Sequence, residues 1–408
     1  MLIFEFRKRF TIRRVGDHEG ARWAFRDGLS PRSARVIEAP GFSLENIDVR
    51  RAALRMFVPM CIGHSPLAVK ERPESVIDSH FWQFPAITER LALERHAELK
   101  GPEWRQGDAA PIQTYLGLPW ASYIDTKNVP DSVRQVFGVR MRGYRALADE
   151  WGLQWGREVV VHTVCQHIYW ERLLPLWAEL GITDLHLSHC EPGSMAIAEK
   201  FGLRVHSWPL AAANVVNPER REGLALGKKL EDRGVLASFI GAHMPHYRSD
   251  VRLRLRDEAA RETRRDVVFE LNDDWHFNPA VYEAQIKGVS LSVEQETAER
   301  NAMVRYNALL SDSVFALCPE GAGPNTLRLW ESLATGTIPV VIVEDWVWPP
   351  VPGEGLCWED CVITLRRNEV VGLFDRLRRL RREQAGRLVA MQAAGSALYE
   401  RFERMLCF

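Results

Sequence analysis

Nowhere in the 408 residues do about 18 apolar side chains follow one another, so length and composition exclude a transmembrane helix. The opening stretch, Met1 to Arg14, also lacks a signal-peptide core, because Glu5 and Arg7 interrupt its apolar residues, and no secretion signal is expected. Cysteine is sparse: Cys61, Cys165, Cys190, Cys318, Cys357, Cys361 and Cys407 make seven, an odd number without CxxC spacing. That pattern argues against a zinc site and fits reduced thiols in the cytoplasm. Charge of one sign is lacking too. With 53 basic and 54 acidic side chains the formal net charge is -1, which gives no whole-protein field for nucleic acid and makes any anion site local. No Asp-x-Asp follows a strand pattern. Asn272-Asp273-Asp274 lacks that spacing and reads as a solvated turn, so no metal site is expected.

What is present is enough apolar material, 46% of the chain, for a sizeable core, in a chain long enough for about two domains. The first 150 residues offer short apolar runs, such as Arg55 to Met60, among many prolines and tryptophans. From Arg157 an alternation sharpens. REVVVHTV reads as a strand, IYWERLLPLWAEL as a helix stopped by Gly181, and DLHLSH as a strand, followed by a helix over 193–201 and a strand over 203–206. Residues 209–227, rich in Ala and Asn, read as the interdomain linker. A second alternation follows: strands at 235–240, 266–271, 313–317 and 338–343, and helices at 249–264, 293–310 and 325–335. From Val370 the tail reads as helical, with Leu373, Leu377 and Leu380 on one stripe and Arg376, Arg378, Arg379, Arg381, Arg382 and Arg387 beside it. The implied fold class is α/β, two Rossmann-like domains facing across a cleft. The boundaries are 1–222 for the first domain, 223–380 for the second, and 381–408 for a C-terminal helix packing back on the first domain.

The segment that carries chemistry runs from Ser313 to Pro350, SVFALCPEGAGPNTLRLWESLATGTIPVVIVEDWVWPP. A buried-type strand enters a glycine-rich turn and then, near Asn325 and Thr326, a helix whose first N–H groups are open to an anion. Arg328 and Glu331 lie three apart and share a face, a cation suited to phosphate beside a carboxylate suited to a ribose diol. The plain alternative is a surface ion pair above an ordinary turn.

The same segment resembles the donor-binding region of the exostosin-like glycosyltransferases through Cys318, Pro319, Gly321, Gly323, Arg328, Glu331, Leu333, Gly336, Ile338, Pro339, Val340, Asp345, Trp346 and Pro349. SFIGAHMPHYRSDVR, 238–252, resembles the opening of that family's second domain, which adds Gly241, Arg248 and Arg252 as donor contacts. PIQTYLGLPWASYIDT and VVVHTVCQHIYW resemble acceptor-domain segments of bacterial members. Glu320 departs from the pattern, standing where the family usually has Arg. The resemblance implies a GT-B glycosyltransferase that transfers a sugar with inversion and without a metal. Arg328 would stabilise the leaving phosphate and no cofactor would be needed. A uridine diphosphate sugar is the expected donor, with a cytidine monophosphate sugar as the alternative.

An inverting transfer needs a base, and Asp125 and His167 rank first among Asp125, His162, His167, His189 and Glu191. Structural roles compete for both: an Asp before a Thr often caps a turn, and a His after a strand often bonds a carbonyl. His243 and His246 read as loop residues. The acceptor implied is a glycan or lipid-linked glycan in surface polysaccharide synthesis at the inner face of the membrane, where the basic tail helix would rest on anionic lipid. Two rival functions stay open: a nucleotide-sugar epimerase of the same architecture, and a non-catalytic glycan-binding subunit, which Glu320 keeps in view.

Overall fold

The computed structural model describes residues 3–6, 10–15, 22–27, 34–38, 86–98, 112–125, 158–272 and 291–405. The apolar run at 55–60, Cys61, Asp273, Asp274 and Cys407 lie outside them. Strands β1 (Ile3–Phe6), β2 (Phe10–Val15), β3 (Arg22–Asp27) and β4 (Ala34–Glu38) pair in sequence order as an antiparallel sheet that the sequence pattern does not announce.

The first parallel unit follows. After helix α1 (Thr88–Glu98) come β5 (Ile112–Tyr115), α2 (Trp120–Asp125), β6 (Val159–Cys165), α3 (Leu174–Leu180), β7 (Asp184–Leu187), α4 (Ser194–Glu199) and β8 (Arg204–Ser207). The four strands lie in the order β5-β6-β7-β8, all parallel. One face packs Leu185 and Leu187 against Trp177 and Trp120, whose rings meet edge to face. The other face is covered in part by α1, through Leu91 and Ala92 against Val164 and Trp208.

The stretch read as a linker is not a solvated tether. It carries α5 (Ala213–Val216), and Leu210, Ala211, Ala212, Asn214 and Val215 are buried. The second unit then runs β9 (Val235–Ala242), α6 (Val251–Ala260), β10 (Val267–Asn272), α7 (Val293–Asp312), β11 (Ser313–Pro319), α8 (Leu327–Thr335), β12 (Ile338–Ile342) and β13 (Ile363–Leu365). Its sheet has the order β10-β9-β11-β12-β13 and is parallel throughout. Every residue of β11 and β12 is buried, as expected of strands covered on both faces. Helix α8 ends at Gly336, whose φ of 68° closes the last turn through its N–H to Leu333 O; side chains rarely adopt that backbone.

The tail is two helices, α9 (Leu373–Glu383) and α10 (Ala385–Met405), broken at Gln384. Helix α10 packs Leu398 and Phe402 against Trp330 and Leu333 of α8 and approaches the first unit through Arg95–Glu403, 3.8 Å apart. The arginines of α9 are largely engaged within the fold. Arg378 binds Asp266 and Glu262, Arg376 the carbonyls of Val371 and Glu369, and Arg381 the carbonyl of Arg233. No described helix is long and apolar enough to cross a membrane.

On the α1 face of the first sheet, His162, His186 and His206 stand on adjacent strands. His162 Nδ1 and His186 Nε2 are 3.1 Å apart, and His206 Nε2 is 2.7 Å from Asp184. Burial holds His186 well below its ordinary 6.5, and burial together with the nearby His162 brings His96 on α1 down to about 4. Below pH 6.5 the unfolded chain therefore takes up protons that the folded chain refuses, so these groups cost stability as pH falls toward 4 and are silent above about pH 7. Glu89, raised to about 8 by burial, acts in the opposite direction between 8 and 4.5. The informative quantity is thus a difference: the urea midpoint of His96→Gln is expected to drop less than that of the wild type on going from pH 7.5 to 5.0. An equal drop would show that His96 is not held neutral.

Candidate active site

Strand β11 ends at Pro319, the chain turns through Glu320 to Pro324, and α8 begins behind Thr326. Gly321 N–H donates to Gly323 O at 3.1 Å, which makes the turn tight. Thr326 is in extended backbone and its hydroxyl makes no capping bond, so no side-chain cap takes the first-turn N–H groups of α8.

Three arginines surround this turn. Arg252 is buried and puts each guanidinium nitrogen on a carbonyl: Nε on Glu320 O (3.0 Å), Nη1 on Ala242 O (2.6 Å) and Nη2 on Pro319 O (3.2 Å). It therefore clamps the end of β9 to the end of β11, where the sequence suggests a phosphate contact. Gly321 leaves room for it, since a Cβ there would lie 2.7 Å from Arg252 Nη2. Arg328 lies over the Phe239 ring, 4.2 Å from its centroid, and donates to Leu317 O and Ile240 O. It thus reaches the C-terminal ends of the two central strands, the edge where parallel α/β sheets bind ligands. Gly241, next along β9, is within 3.4 Å of Arg328 Nη2 by its would-be Cβ. Arg248 donates its backbone N–H to Gly321 O, pairs with Glu191 of the first unit, and lies 3.7 Å from Glu320.

The charge reversal at Glu320 is answered locally. Its buried carboxylate accepts from Ser249 Oγ (2.6 Å) and from Arg367 Nε and Nη2 (2.5 and 3.1 Å). Arg367, which the sequence pattern does not single out, neutralises this carboxylate. A misplaced carboxylate is a signal that a compensating base exists, but not where.

Glu331 is 4% exposed and does not pair with Arg328, which rules out the surface ion pair. Its Oε2 accepts from Tyr306 Oη at 2.7 Å and its Oε1 from Asn214 N–H at 3.2 Å. Asn214 in turn binds Asn307 and Arg220 through its side chain. Glu331 thus ties α8 to the segment joining the two units.

The first unit meets the turn directly. A Cβ on Gly323 would collide with His189 and lie 2.9 Å from Ile168 Cγ2, so only glycine permits this approach. Asn325 donates to Ser188 O at 2.9 Å while accepting from Trp330 Nε1, and Val347 N–H donates to Cys190 O at 3.0 Å. His167, next to Ile168, lies with Nε2 3.0 Å from Asp125 Oδ1, and its Nδ1 is 3.0 Å from Tyr169 N–H. Because the backbone N–H can only donate, Nδ1 accepts and the proton sits on Nε2, pointing at Asp125. Two side chains 42 positions apart thus form one pair, each about nine-tenths buried. Burial drives His189 down to about 3, with His167 and Arg248 adding to the effect. It is neutral at physiological pH. His162 lies on the sheet face with His186, and Glu191 is engaged by Arg248. His243 and His246 flank the Tyr247 ring in the loop after β9.

Gly323→Ala is expected to cost about 1–3 kcal/mol in urea unfolding, as overpacking of a tight contact does. A variant as stable as the wild type would mean that the units do not close at this point.

Residues 198–380 match the family model of the exostosin GT47 domain, which spans the linker and nearly all of the second unit. A stretch of 77 residues is 36% identical to a protein of Arabidopsis thaliana named a probable glucuronoxylan glucuronosyltransferase IRX7, covering 19% of this chain and 17% of the plant protein. Among solved structures, the C-terminal domain of a group 1 glycosyl transferase (LpcC) from Francisella tularensis overlaps 44% of this chain and 94% of its own, with 11% identity and a TM-score of 0.26. A structure from Listeria monocytogenes named for UDP-N-acetylglucosamine 2-epimerase overlaps 81% of this chain and 92% of its own, with 12% identity and a TM-score of 0.35.

Proposed function

We propose that this chain, whose residues 198–380 match the exostosin GT47 family model, transfers a sugar from a nucleotide-sugar donor to a hydroxyl of a glycan acceptor. The observation that carries this reading is the meeting of the Gly321–Gly323 turn with Ile168 and His189, beside the Asp125–His167 pair. A donor held at the turn places its sugar near a base from the other unit.

The donor's phosphates lie against the N-terminus of α8, with Arg328 and Arg248 supplying positive charge. Asp125 accepts the proton of the acceptor hydroxyl as its oxygen bonds to the anomeric carbon. The bond from that carbon to the phosphate oxygen breaks, and the nucleotide leaves with its electrons. His167 orients Asp125 through Nε2–H. Attack from the face opposite the leaving group inverts the anomeric configuration. The positive charge in this scheme comes from arginine and backbone N–H groups, so EDTA is expected to leave turnover intact, and rescue of a chelated enzyme by manganese would overturn that part. A uridine diphosphate sugar is the proposed donor and a growing surface glycan on the cytoplasmic side the proposed acceptor.

A thermal-shift panel of nucleotides tests the donor site. A nucleotide at about 100 times its Kd stabilises by about 2.7 kcal/mol. Uridine diphosphate is expected to raise Tm, and cytidine monophosphate raising it instead would redirect the donor assignment. No shift with any nucleotide would contradict a donor site.

A further inference from the structure

Outside the residues that face the turn, one buried carboxylate reaches both elements of the proposed base. Glu89, in the first turn of α1, is 2% exposed. Its Oε1 accepts the backbone N–H of Gln166 at 3.0 Å and that of Ala121 at 3.2 Å, and its Oε2 accepts Ala121 N–H at 3.1 Å. Gln166 immediately precedes His167. Ala121 lies in the first turn of α2, whose last residue is Asp125, one helical turn further on. The return contacts close the web: Glu89 N–H donates to Gln166 Oε1 at 3.2 Å, and Gln166 Nε2 donates to Ala86 O at 2.5 Å. The partners are 32 and 77 residues from Glu89, so no local propensity explains the arrangement.

We infer that Glu89 is a positioning residue for the Asp125–His167 pair, its single carboxylate fixing α2 and the end of β6 relative to one another so that His167 Nε2 meets Asp125. The inference rests on the proposed role of that pair in transfer. A carboxylate is a costly group to bury, and burial pushes this one up to about 8 although the Gln166 and Ala121 N–H groups and the Cys165 thiol pull it down. A leucine would fill the same space with less penalty but would bind neither N–H. Pairs of this kind tolerate displacements of about 0.5 Å, and a bond to each carrying element limits such displacement.

Two readouts test this, one independent of activity. In protein labelled with ¹⁵N-histidine and assigned through His167→Gln, the His167 signal of the wild type is expected to show the Nε2–H tautomer alone. In Glu89→Ala it is expected to become a mixture of tautomers, because the end of β6 that sets His167 against both the Tyr169 N–H at Nδ1 and the Asp125 acceptor at Nε2 is released. In Glu89→Gln, whose carbonyl oxygen still accepts both N–H groups, it is expected to return to the single tautomer. Transfer is expected to follow, with kcat down about tenfold or more in Glu89→Ala at a donor KM within about twofold, and recovery in Glu89→Gln to within about threefold. If the alanine variant does not fold, Glu89→Asp, which keeps the carboxyl group but is too short to span both N–H groups, takes its place with the same expectations. A folded Glu89→Ala or Glu89→Asp protein with an unchanged His167 tautomer overturns the inference. Wild-type protein that shows no transfer to any acceptor defeats the transferase reading instead, and the tautomer readout still decides the role of Glu89.

Discussion

Replacing Asp125 by alanine is expected to lower the turnover of sugar transfer by about 10²–10⁴-fold, the range contributed by a positioned general base. Donor binding should persist, because Asp125 sits in the first unit and the turn proposed to receive the donor in the second. The geometry separates Asp125 from His167. Tyr169 N–H donates to His167 Nδ1, and the proton on Nε2 points at Asp125, so a neutral His167 offers no lone pair to an acceptor hydroxyl. His167→Gln, which keeps a donor toward Asp125, is therefore expected to lose less than Asp125→Ala. The measurement is kcat and donor KM for both variants. A larger loss in His167→Gln than in Asp125→Ala would reverse the assignment of base and orienter.

Arg328→Ala is expected to lower kcat by about ten- to hundredfold, the equivalent of one charge-assisted hydrogen bond of about 1.5–3 kcal/mol. It should lower Tm as well, because Leu317 O and Ile240 O lose a donor and the Phe239 ring loses its stacked cation. Arg328→Lys distinguishes the two effects. An ammonium keeps the charge but cannot span two carbonyls as the planar fork does, so the Lys variant should recover turnover more fully than stability. If Arg328→Ala turns over at the wild-type rate with a lowered Tm, Arg328 is a strand clamp and the leaving phosphate is stabilised elsewhere.

The second unit was legible because its strands are continuous apolar runs separated by amphipathic helices and glycine stops, and β9 to β12 fall close to where that pattern puts them. Gly181 stops its helix at a φ of 72° as its position suggests, and Gly336 does the same at 68°. The turn after β11 and its neighbours Arg328 and Glu331 were legible from local spacing, but the direction of each side chain was not. Arg252 looks like a phosphate ligand in sequence and becomes a backbone clamp, since three carbonyls at two strand ends converge on it. Glu331 turns to Asn214 and Tyr306, partners 117 and 25 residues away. Arg367 and Glu89 were invisible for the same reason, as their roles depend on long-range contacts. The antiparallel β1–β4 sheet escaped because Arg and apolar residues interleave in its short strands. The break at Gln384 has no proline to announce it, only Gly386 two residues further on.

The most direct test of the whole account is transfer itself, followed by mass spectrometry with a panel of uridine diphosphate and cytidine monophosphate sugars and glycan acceptors, comparing wild type with Asp125→Ala. The account predicts that the wild type adds one sugar to an acceptor as free nucleotide accumulates, and that the variant still binds the donor but adds almost none. Release of an epimerised sugar without an acceptor, no turnover of any donor, or equal transfer by both proteins would contradict it.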